Sequence, residues 1–391
     1  MLGAGVFVVF APAAALAGQL LALSVVVAGA VAYCNAVASA ALAAKYPTSG
    51  GTYVYGREQL GEWPGFLAGW GFVTGKTASC AAMALTFGSY AWPGYAVPAA
   101  VAAVVVLTGV NLLGITRTAL LTRILLGIVL ATLAFVAIAA AVGPHPVPGP
   151  GGPAGGSSPG GVLPAAGLMF FAFAGYARIA TLGEEVKDPA RAIPRAILAA
   201  LAAAFAIYLT MSLLLLNHLP GGQLAATRTP LLDAVLESRF QGGAVLVQVG
   251  AAAACLGALL ALITGVGRTT LAMARERDLP APLAKVGGKH TVPYAAELAV
   301  AAVVILLLLT TDVMTVVGFS SFGVLTYYAV ANASAYTLAA HPGYAPKWLN
   351  AVGFAACLLL AFTLPPASVL TMVAVLAAGV AGRWLVLRLR H

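Results

Sequence analysis

The chain opens with MLGAGVFVVFAPAAALAGQLLALSVVVAGAVAYCNAVASAALAA (residues 1–44), which contains no charged side chain. A helix needs about 20 apolar residues to cross the hydrocarbon core of a bilayer, so this stretch is long enough for two crossings. The whole chain of 391 residues has the same character, with 61% hydrophobic and only 8% charged residues. Soluble domains contain about 25% charged residues. The composition therefore excludes a soluble protein and predicts a multi-pass membrane protein.

Apolar stretches of membrane-spanning length recur throughout the chain. We predict twelve spans, numbered 1 to 12 in chain order, over residues 2–18, 20–44, 64–90, 95–113, 118–142, 161–183, 193–217, 243–273, 293–311, 314–338, 348–364 and 366–387. A Gly/Pro-rich tract over residues 143–160 joins spans 5 and 6 and predicts a flexible extracellular loop. The four cysteines stand singly in apolar stretches, so no metal site is expected.

The basic residues predict the orientation of the chain. Sixteen of the twenty Lys and Arg residues fall on one side of the predicted spans, and only Arg228 and Arg239 fall on the other. Basic loops stay on the cytoplasmic side of a membrane, so the first side is predicted to be cytoplasmic. This asymmetry accounts for the net charge of +9 without a nucleic-acid partner, which would need a clustered basic face. Lys76 and Arg178 remain, and both lie inside spans.

Two segments predict interrupted spans. One is Gly3-Ala4-Gly5-Val6-Phe7 in span 1, and the other is Phe171-Ala172-Phe173-Ala174-Gly175-Tyr176 in span 6. A broken helix exposes backbone N–H and C=O groups at membrane depth, which is tolerated where they line a cavity or bind a substrate. Glycine for close helix packing is the alternative for either segment alone. One such segment at the start of each five-span half favours an inverted repeat.

Five motifs, taken in order, resemble those of the amino acid–polyamine–organocation (APC) transporters. They are the span 1 segment; Tyr46-Pro47 with Gly50-Gly51-Thr52-Tyr53-Val54-Tyr55; Gly65-Phe66-Leu67-Ala68-Gly69-Trp70; the span 6 segment, followed by Glu184-Glu185-Val186-Lys187-Asp188-Pro189 and Arg191-Ala192-Ile193-Pro194; and Ala272-Met273-Ala274-Arg275 with Leu279-Pro280. The resemblance covers nearly the whole chain.

The resemblance implies an all-α polytopic membrane protein with about twelve transmembrane helices. Residues 1–142 and 161–338 are then two inverted five-helix repeats with broken helices 1 and 6, and residues 348–391 hold spans 11 and 12 and a basic cytoplasmic tail. Family members carry a cytoplasmic half-helix before the glycine motif, whereas Gly3 here follows Met1 by two positions. We therefore expect that half of span 1 to be missing from this sequence and the native N-terminus to be longer.

The resemblance also implies secondary transport of amino acids by alternating access in the cytoplasmic membrane, without a cofactor. In the family, backbone amides of the span 1 motif meet the substrate carboxylate, and carbonyls of the span 6 break meet its amino group. The matching residues here are Gly3, Ala4 and Gly5 in span 1, and Phe171, Ala172, Ala174, Gly175 and Tyr176 in span 6. The aromatic ring at Phe171 is expected to close over the substrate from outside.

Lys76 departs from the family pattern. An ammonium at membrane depth is costly and by default faces a cavity or a carboxylate, and Lys76 lies too far from either end of span 3 to reach the interface. By alignment it lines the substrate pocket, so we expect a role in substrate binding or coupling. Some family members carry a lysine in span 5 that replaces a sodium ion, but Val129 stands at that position here. Lys76 is the alternative group for proton coupling.

Arg178, just beyond the span 6 break, is a second departure. It either pairs with Glu184 or Glu185 in a cytoplasmic gate or holds a substrate carboxylate. Two buried cations disfavour a cationic substrate by repulsion, so neutral or acidic amino acids are the predicted substrates. A polyamine or cationic amino acid transporter or exchanger, and a non-transporting receptor-like member, are the alternatives. No nucleophile or metal motif of a known enzyme class is present, so the sequence predicts no enzyme.

Overall fold

The computed structural model describes residues 3–46, 51–114, 118–142, 159–176, 188–219, 222–287 and 292–388, and each predicted span coincides with a helix there. Span 1 consists of helices Gly5–Val8 and Phe10–Ala17. Spans 2 to 12 are Leu21–Lys45, Glu62–Ala91, Ala96–Leu112, Thr118–Val142, Val162–Phe173, Pro189–His218, Ala244–Arg275, Tyr294–Thr310, Val313–Tyr336, Lys347–Thr363 and Pro366–Arg388. Short helices Thr52–Leu60, Gly222–Ala226 and Pro230–Leu236 lie between spans. These helices confirm the predicted all-α polytopic fold.

Eight helical segments of the described chain are long and apolar enough to cross a membrane, and Tyr294–Thr310 and Lys347–Thr363 are shorter apolar helices. One of the eight, Phe10–Lys45, holds both spans 1 and 2, which are separated at Gly18, a residue with a positive φ of 54°. Span 3 is a continuous helix of 30 residues, but its apolar run contains several polar side chains. A described helix thus lies in each of the twelve predicted spans, whereas residues 177–183 of span 6 and 143–158 of the predicted loop lie outside the described residues.

The outer helices expose large apolar side chains, as expected of surfaces that face lipid. Val106 of span 4 is 61% exposed and Leu370 of span 12 is 71% exposed. Spans 2, 3 and 10, in contrast, are buried over most of their length. Water would make such an exposed apolar surface an aggregation hazard, whereas the bilayer solvates it. The helices therefore form a buried inner group surrounded by lipid-facing ones.

The contacts between spans are consistent with two inverted repeats. Span 1 packs on span 6, span 2 on span 7, span 3 on span 8 and span 4 on span 9. Each of these pairs joins equivalent members of the two five-span halves. Helices related by a pseudo-two-fold axis in the membrane plane meet in this way near the axis.

Glycine brings span 3 unusually close to span 10. A Cβ atom on Gly75 would lie 3.1 Å from the Ser320 carbonyl oxygen and 3.2 Å from Gly323 Cα. Small residues allow helix backbones to approach in a membrane, where packing rather than water exclusion drives association. The hydroxyls of Ser79 and Ser320 hydrogen-bond across the same crossing, 2.5 Å apart. This crossing fixes the position of Lys76, the residue after Gly75.

Candidate substrate site

Spans 1 and 6 cross at the two predicted breaks. A Cβ atom on Gly5 would lie 2.7 Å from Ala172 Cα and 2.9 Å from its Cβ, so only glycine fits between the two backbones. Gly3 lies next to Ala258 of span 8, and Ala4 is fully buried. The close approach brings the glycine motif of span 1 against the span 6 segment, as the sequence predicts.

The start of span 1 presents backbone donors at this crossing. The helix begins at Gly5, and its first backbone bond runs from the Phe7 N–H to the Ala4 carbonyl, 2.9 Å long. The N–H groups before Phe7 have no acceptor further back in the helix, because the first turn of any helix leaves its donors unpaired. Such donors, at the positive end of a helix dipole, favour an anionic group such as a carboxylate.

Span 6 stops being an α-helix where the sequence predicts a break. The helix ends at Phe173, and residues 174–176 form one 3₁₀ turn. Gly175 is exposed, although its neighbours Ala174 and Tyr176 are buried. The break therefore has one exposed residue between two buried neighbours. The side chain of Phe171, the predicted outer lid, is itself buried.

Lys76 reaches the span 6 break from span 3. Its side chain is only 6% exposed, and its Nζ atom donates a hydrogen bond to the Ala174 carbonyl oxygen at 3.2 Å. None of the ion pairs found among the described residues includes Lys76. The ammonium therefore relies on a backbone carbonyl of the break, one of those the resemblance assigns to the amino group of the substrate.

A second carbonyl of the break is held by a neutral donor. The Tyr208 hydroxyl of span 7 donates to the Ala172 carbonyl at 3.1 Å, and its ring packs edge-on against Phe173. On span 1, the Tyr90 hydroxyl of span 3 donates to the Phe7 carbonyl at 3.2 Å. Sequence reasoning missed both tyrosines, because nothing in the local pattern of an apolar helix shows that a tyrosine faces a broken neighbour.

The predicted cytoplasmic gate cannot be compared with the structure. Arg178, Glu184 and Glu185 lie outside the described residues, so their pairing stays a prediction.

The described residues hold no group of three or more His, Cys, Asp or Glu side chains that could bind a metal ion. A cavity of about 390 Å³, lined by apolar and threonine side chains mainly of spans 3, 9 and 10 and also of spans 8 and 12 and the loop after span 8, does not include the residues of the breaks.

A buried ion cluster on the predicted cytoplasmic side was not anticipated from the sequence. Asp278, after span 8, accepts hydrogen bonds from Arg383 Nε at 2.8 Å, Arg57 Nη1 at 3.1 Å and the Tyr53 hydroxyl at 2.7 Å. Arg383 also donates to Glu62 at 3.0 Å. Burial, and then the bond to the Asp278 carboxylate, raise the pKa of the Tyr53 phenol. The cluster ties the start of span 3 and the end of span 12 to the loop after span 8.

One sequence signal does point to this cluster. Tyr53 belongs to the motif that follows span 2. Asp278 lies between the two parts of another motif, of which Ala272–Arg275 ends span 8 and Leu279-Pro280 lies in the loop after it. The two segments that carry these motifs thus meet in space through the bond between Tyr53 and Asp278. A contact between them is a structural reason for their co-occurrence.

Comparisons with known proteins agree with this architecture. A family model described as amino acid permease matches residues 1–381. An uncharacterized transporter of Mycobacterium tuberculosis is 54% identical over 97% of this chain and 87% of its own length. The branched-chain amino acid permease of Bacillus subtilis is 30% identical over 76% of this chain and 68% of its own length. Cationic amino acid transporter 7, chloroplastic, of Arabidopsis thaliana is 27% identical over 89% of this chain and 65% of its own length.

These matches bear out the resemblance that the five motifs indicate. They extend over nearly the whole chain, and they accompany a helical fold in which the predicted breaks of spans 1 and 6 meet. A small-molecule substrate and a multi-pass position in a membrane follow from such a family. The chain belongs to the amino acid permease family of the amino acid–polyamine–organocation superfamily.

Proposed function

We propose that the protein is a secondary transporter that moves neutral or acidic amino acids across the cytoplasmic membrane by alternating access. The observation that carries this proposal is the meeting of three chain segments at one point. Gly5 of span 1 touches Ala172 of span 6, and Lys76 of span 3 binds the Ala174 carbonyl two residues further on. Backbone donors, backbone acceptors and one buried cation thus surround the same break.

The proposed binding mode follows from the polarity of these groups. The N–H groups of Gly3, Ala4 and Gly5 take the substrate carboxylate, since unpaired N–H groups at a helix start favour an anion. The carbonyl oxygens of the span 6 break take the amino group. Phe171, Ala172, Ala174, Gly175 and Tyr176 form this second half of the site. Phe171 closes it from the outer side, and Arg178 with Glu184 and Glu185 closes it from the cytoplasmic side.

Lys76 supports the proposed substrate class. While it is protonated, the Lys76 ammonium beside the amino-group subsite repels a substrate that carries a second positive charge more strongly than one with a neutral or acidic side chain. The Bacillus relative is named for branched-chain amino acids and the Arabidopsis relative for cationic ones, so the family includes both classes. A transporter of polyamines or cationic amino acids is the competing proposal, and a non-transporting receptor-like protein is the third.

We further propose that Lys76 couples transport to protons. The substrate amino group and the Lys76 ammonium compete for the Ala174 carbonyl, because two cations at one acceptor repel each other. Release of the Lys76 proton to the cytoplasm, after uptake of that proton from the outer side, removes the conflict and allows the substrate to bind. Proton movement and substrate movement are then linked at the Ala174 carbonyl oxygen.

Uptake into proteoliposomes tests the proposal. The full chain is reconstituted, and accumulation of leucine, alanine, glutamate, arginine and putrescine is measured with and without an inward pH gradient. We expect saturable uptake of neutral or acidic substrates that the gradient stimulates. Saturable arginine or putrescine uptake without competition by alanine or glutamate overturns the substrate class. Binding of an amino acid without accumulation under any gradient overturns transport itself and favours the receptor-like alternative.

A further inference from the structure

A group of buried polar side chains lies beyond the span 6 break, between spans 2, 10 and 11. It consists of Asn35, Tyr176, Tyr328, Asn332 and Cys357, which we call the asparagine cluster. Every one of these side chains is fully buried. Neither the binding mode proposed above nor any motif of the sequence uses the two asparagines or the cysteine, so their burial at membrane depth needs a separate explanation.

Direct bonds hold the centre of the asparagine cluster together. Asn332 Nδ2 donates to Asn35 Oδ1 at 2.6 Å and to the Tyr328 carbonyl at 2.9 Å. Cys357 Sγ donates to the same Asn35 oxygen at 3.1 Å. A Cβ atom on Gly353 would lie 2.3 Å from Asn332 Oδ1, so span 11 approaches the cluster closely enough to enclose it.

Several polar atoms of the cluster have no hydrogen-bond partner among the described residues. They are Asn35 Nδ2, Asn332 Oδ1 and the hydroxyls of Tyr176 and Tyr328. The Tyr176 hydroxyl faces the Tyr328 and Asn35 side chains but makes no bond of normal geometry with them. A dry, unpaired polar atom costs more free energy than an ordinary hydrogen bond contributes. Unpaired donors and acceptors that face one another are the usual surroundings of buried water.

Asn350 extends the polar groups towards the predicted cytoplasmic side. It lies one turn before Gly353 in span 11, is fully buried, and both polar atoms of its side chain are unpaired among the described residues. Asn350 lines a cavity of about 320 Å³ together with Leu60, Tyr336 and Thr337. Those three residues end the helix Thr52–Leu60 and span 10. The cavity thus lies at the cytoplasmic ends of these helices, and Asn350 at its wall is one helical turn from Gly353, which packs against Asn332 of the cluster.

We propose that the asparagine cluster is a hydrated chamber, filled from the cytoplasmic side past Asn350, that provides a proton path to the span 6 break. The proton-path part rests on the proposed function of Lys76. Tyr176 belongs to the cluster and stands two residues after Ala174, whose carbonyl binds Lys76. A proton that leaves Lys76 Nζ passes to water, and hydroxyl and amide groups that both donate and accept order the waters that carry it to the cytoplasm.

Radiolytic hydroxyl labelling read by mass spectrometry tests the chamber, because radicals form from the water that is present and modify the side chains beside it. The full wild-type chain is labelled in lipid nanodiscs. We expect Cys357 to be oxidised several-fold faster than Cys255, which is equally buried but lies outside the cluster. Equal rates for the two thiols overturn the chamber, and no variant is needed for that result.

Two transport modes test the proton path. Asn350→Leu fills the entrance, and we expect it to lower uptake driven by a pH gradient several-fold while exchange of internal for external substrate stays unchanged. Unchanged gradient-driven uptake, or an equal fall in both modes, overturns the path. Val352→Leu, on an exposed part of span 11, is the matched control. If the wild type transports no amino acid, the proposed function fails, whereas the labelling result still decides whether the chamber exists.

Discussion

The substitution Lys76→Met is the most direct test of the site, because it keeps the length of the side chain and removes its charge. Methionine is unbranched and adapts to the space it is given, so span 3 can keep its close contact with span 10. The one bond that disappears among the described residues is the one from Nζ to the Ala174 carbonyl, 3.2 Å long. No ion pair of the described residues is broken.

The expected magnitude follows from that bond. A hydrogen bond to a charged group is worth about 1.5–3 kcal/mol, and about 1.4 kcal/mol corresponds to a tenfold change in affinity. If the substrate amino group must displace the Lys76 ammonium, its removal strengthens substrate binding by about 10- to 150-fold. The same change removes the titrating group, so binding should lose its dependence on pH.

Isothermal titration of the purified variant with the best substrate of the wild type measures the affinity, at several pH values. Proteoliposome uptake with and without a pH gradient is run on the same preparation. Tyr208→Phe is the matched control, since it frees the Ala172 carbonyl without changing any charge. Because this bond is neutral, we expect Tyr208→Phe to change the free energy of substrate binding by about 0.5–1.5 kcal/mol. The pH dependence of binding should stay unaltered. The Lys76→Arg variant keeps the positive charge, so its affinity for the substrate should remain as low as that of the wild type.

A fall in affinity after Lys76→Met would refute the displacement mechanism. That result would mean that Lys76 attracts the substrate, for example through its carboxylate, rather than competing with its amino group. Tighter binding with an unchanged dependence on the pH gradient would refute the coupling role alone. The sign of the affinity change and the response to pH thus separate the two roles assigned to one side chain.

Two further predictions concern the packing around the site and the cytoplasmic ion cluster. Gly5→Ala forces a methyl group to 2.7 Å from Ala172 Cα, so we expect a loss of about 1–3 kcal/mol in stability and weaker substrate binding in thermal-shift titrations. Gly109→Ala, which meets no atom within 4 Å, should be neutral or stabilising. Asp278→Asn removes the buried carboxylate that binds the Arg383 guanidinium, 4% exposed, and leaves Arg383, among the described residues, only the more exposed Glu62, so it should cost about 3 kcal/mol. Unfolding in detergent should show that adding Arg383→Met recovers part of this loss, and strictly additive losses would contradict the pairing.

The membrane class, the spans and the end of the helix in span 6 could be predicted from the sequence. Runs of apolar residues report directly on the solvent, because only lipid tolerates so few charges. Glycine motifs at residues 3–7 and 171–176 likewise report on local backbone freedom, and the helices begin at Gly5 and end at Phe173 as expected. These are properties of a single segment and its surroundings, so they need no knowledge of distant residues.

The partners of each polar side chain were decided by the tertiary structure alone. Most spans are apolar on every side, so their sequence pattern does not tell which face points inward. The sequence marked Lys76 as a costly charge, but only the crossing of span 3 with span 10 aims it at the Ala174 carbonyl, 98 positions away. The bond of Asn35 to Asn332 spans 297 positions, and that of Asp278 to Arg383 spans 105. Such pairs exist because helix packing brings remote residues together, and no local pattern records which helices will meet.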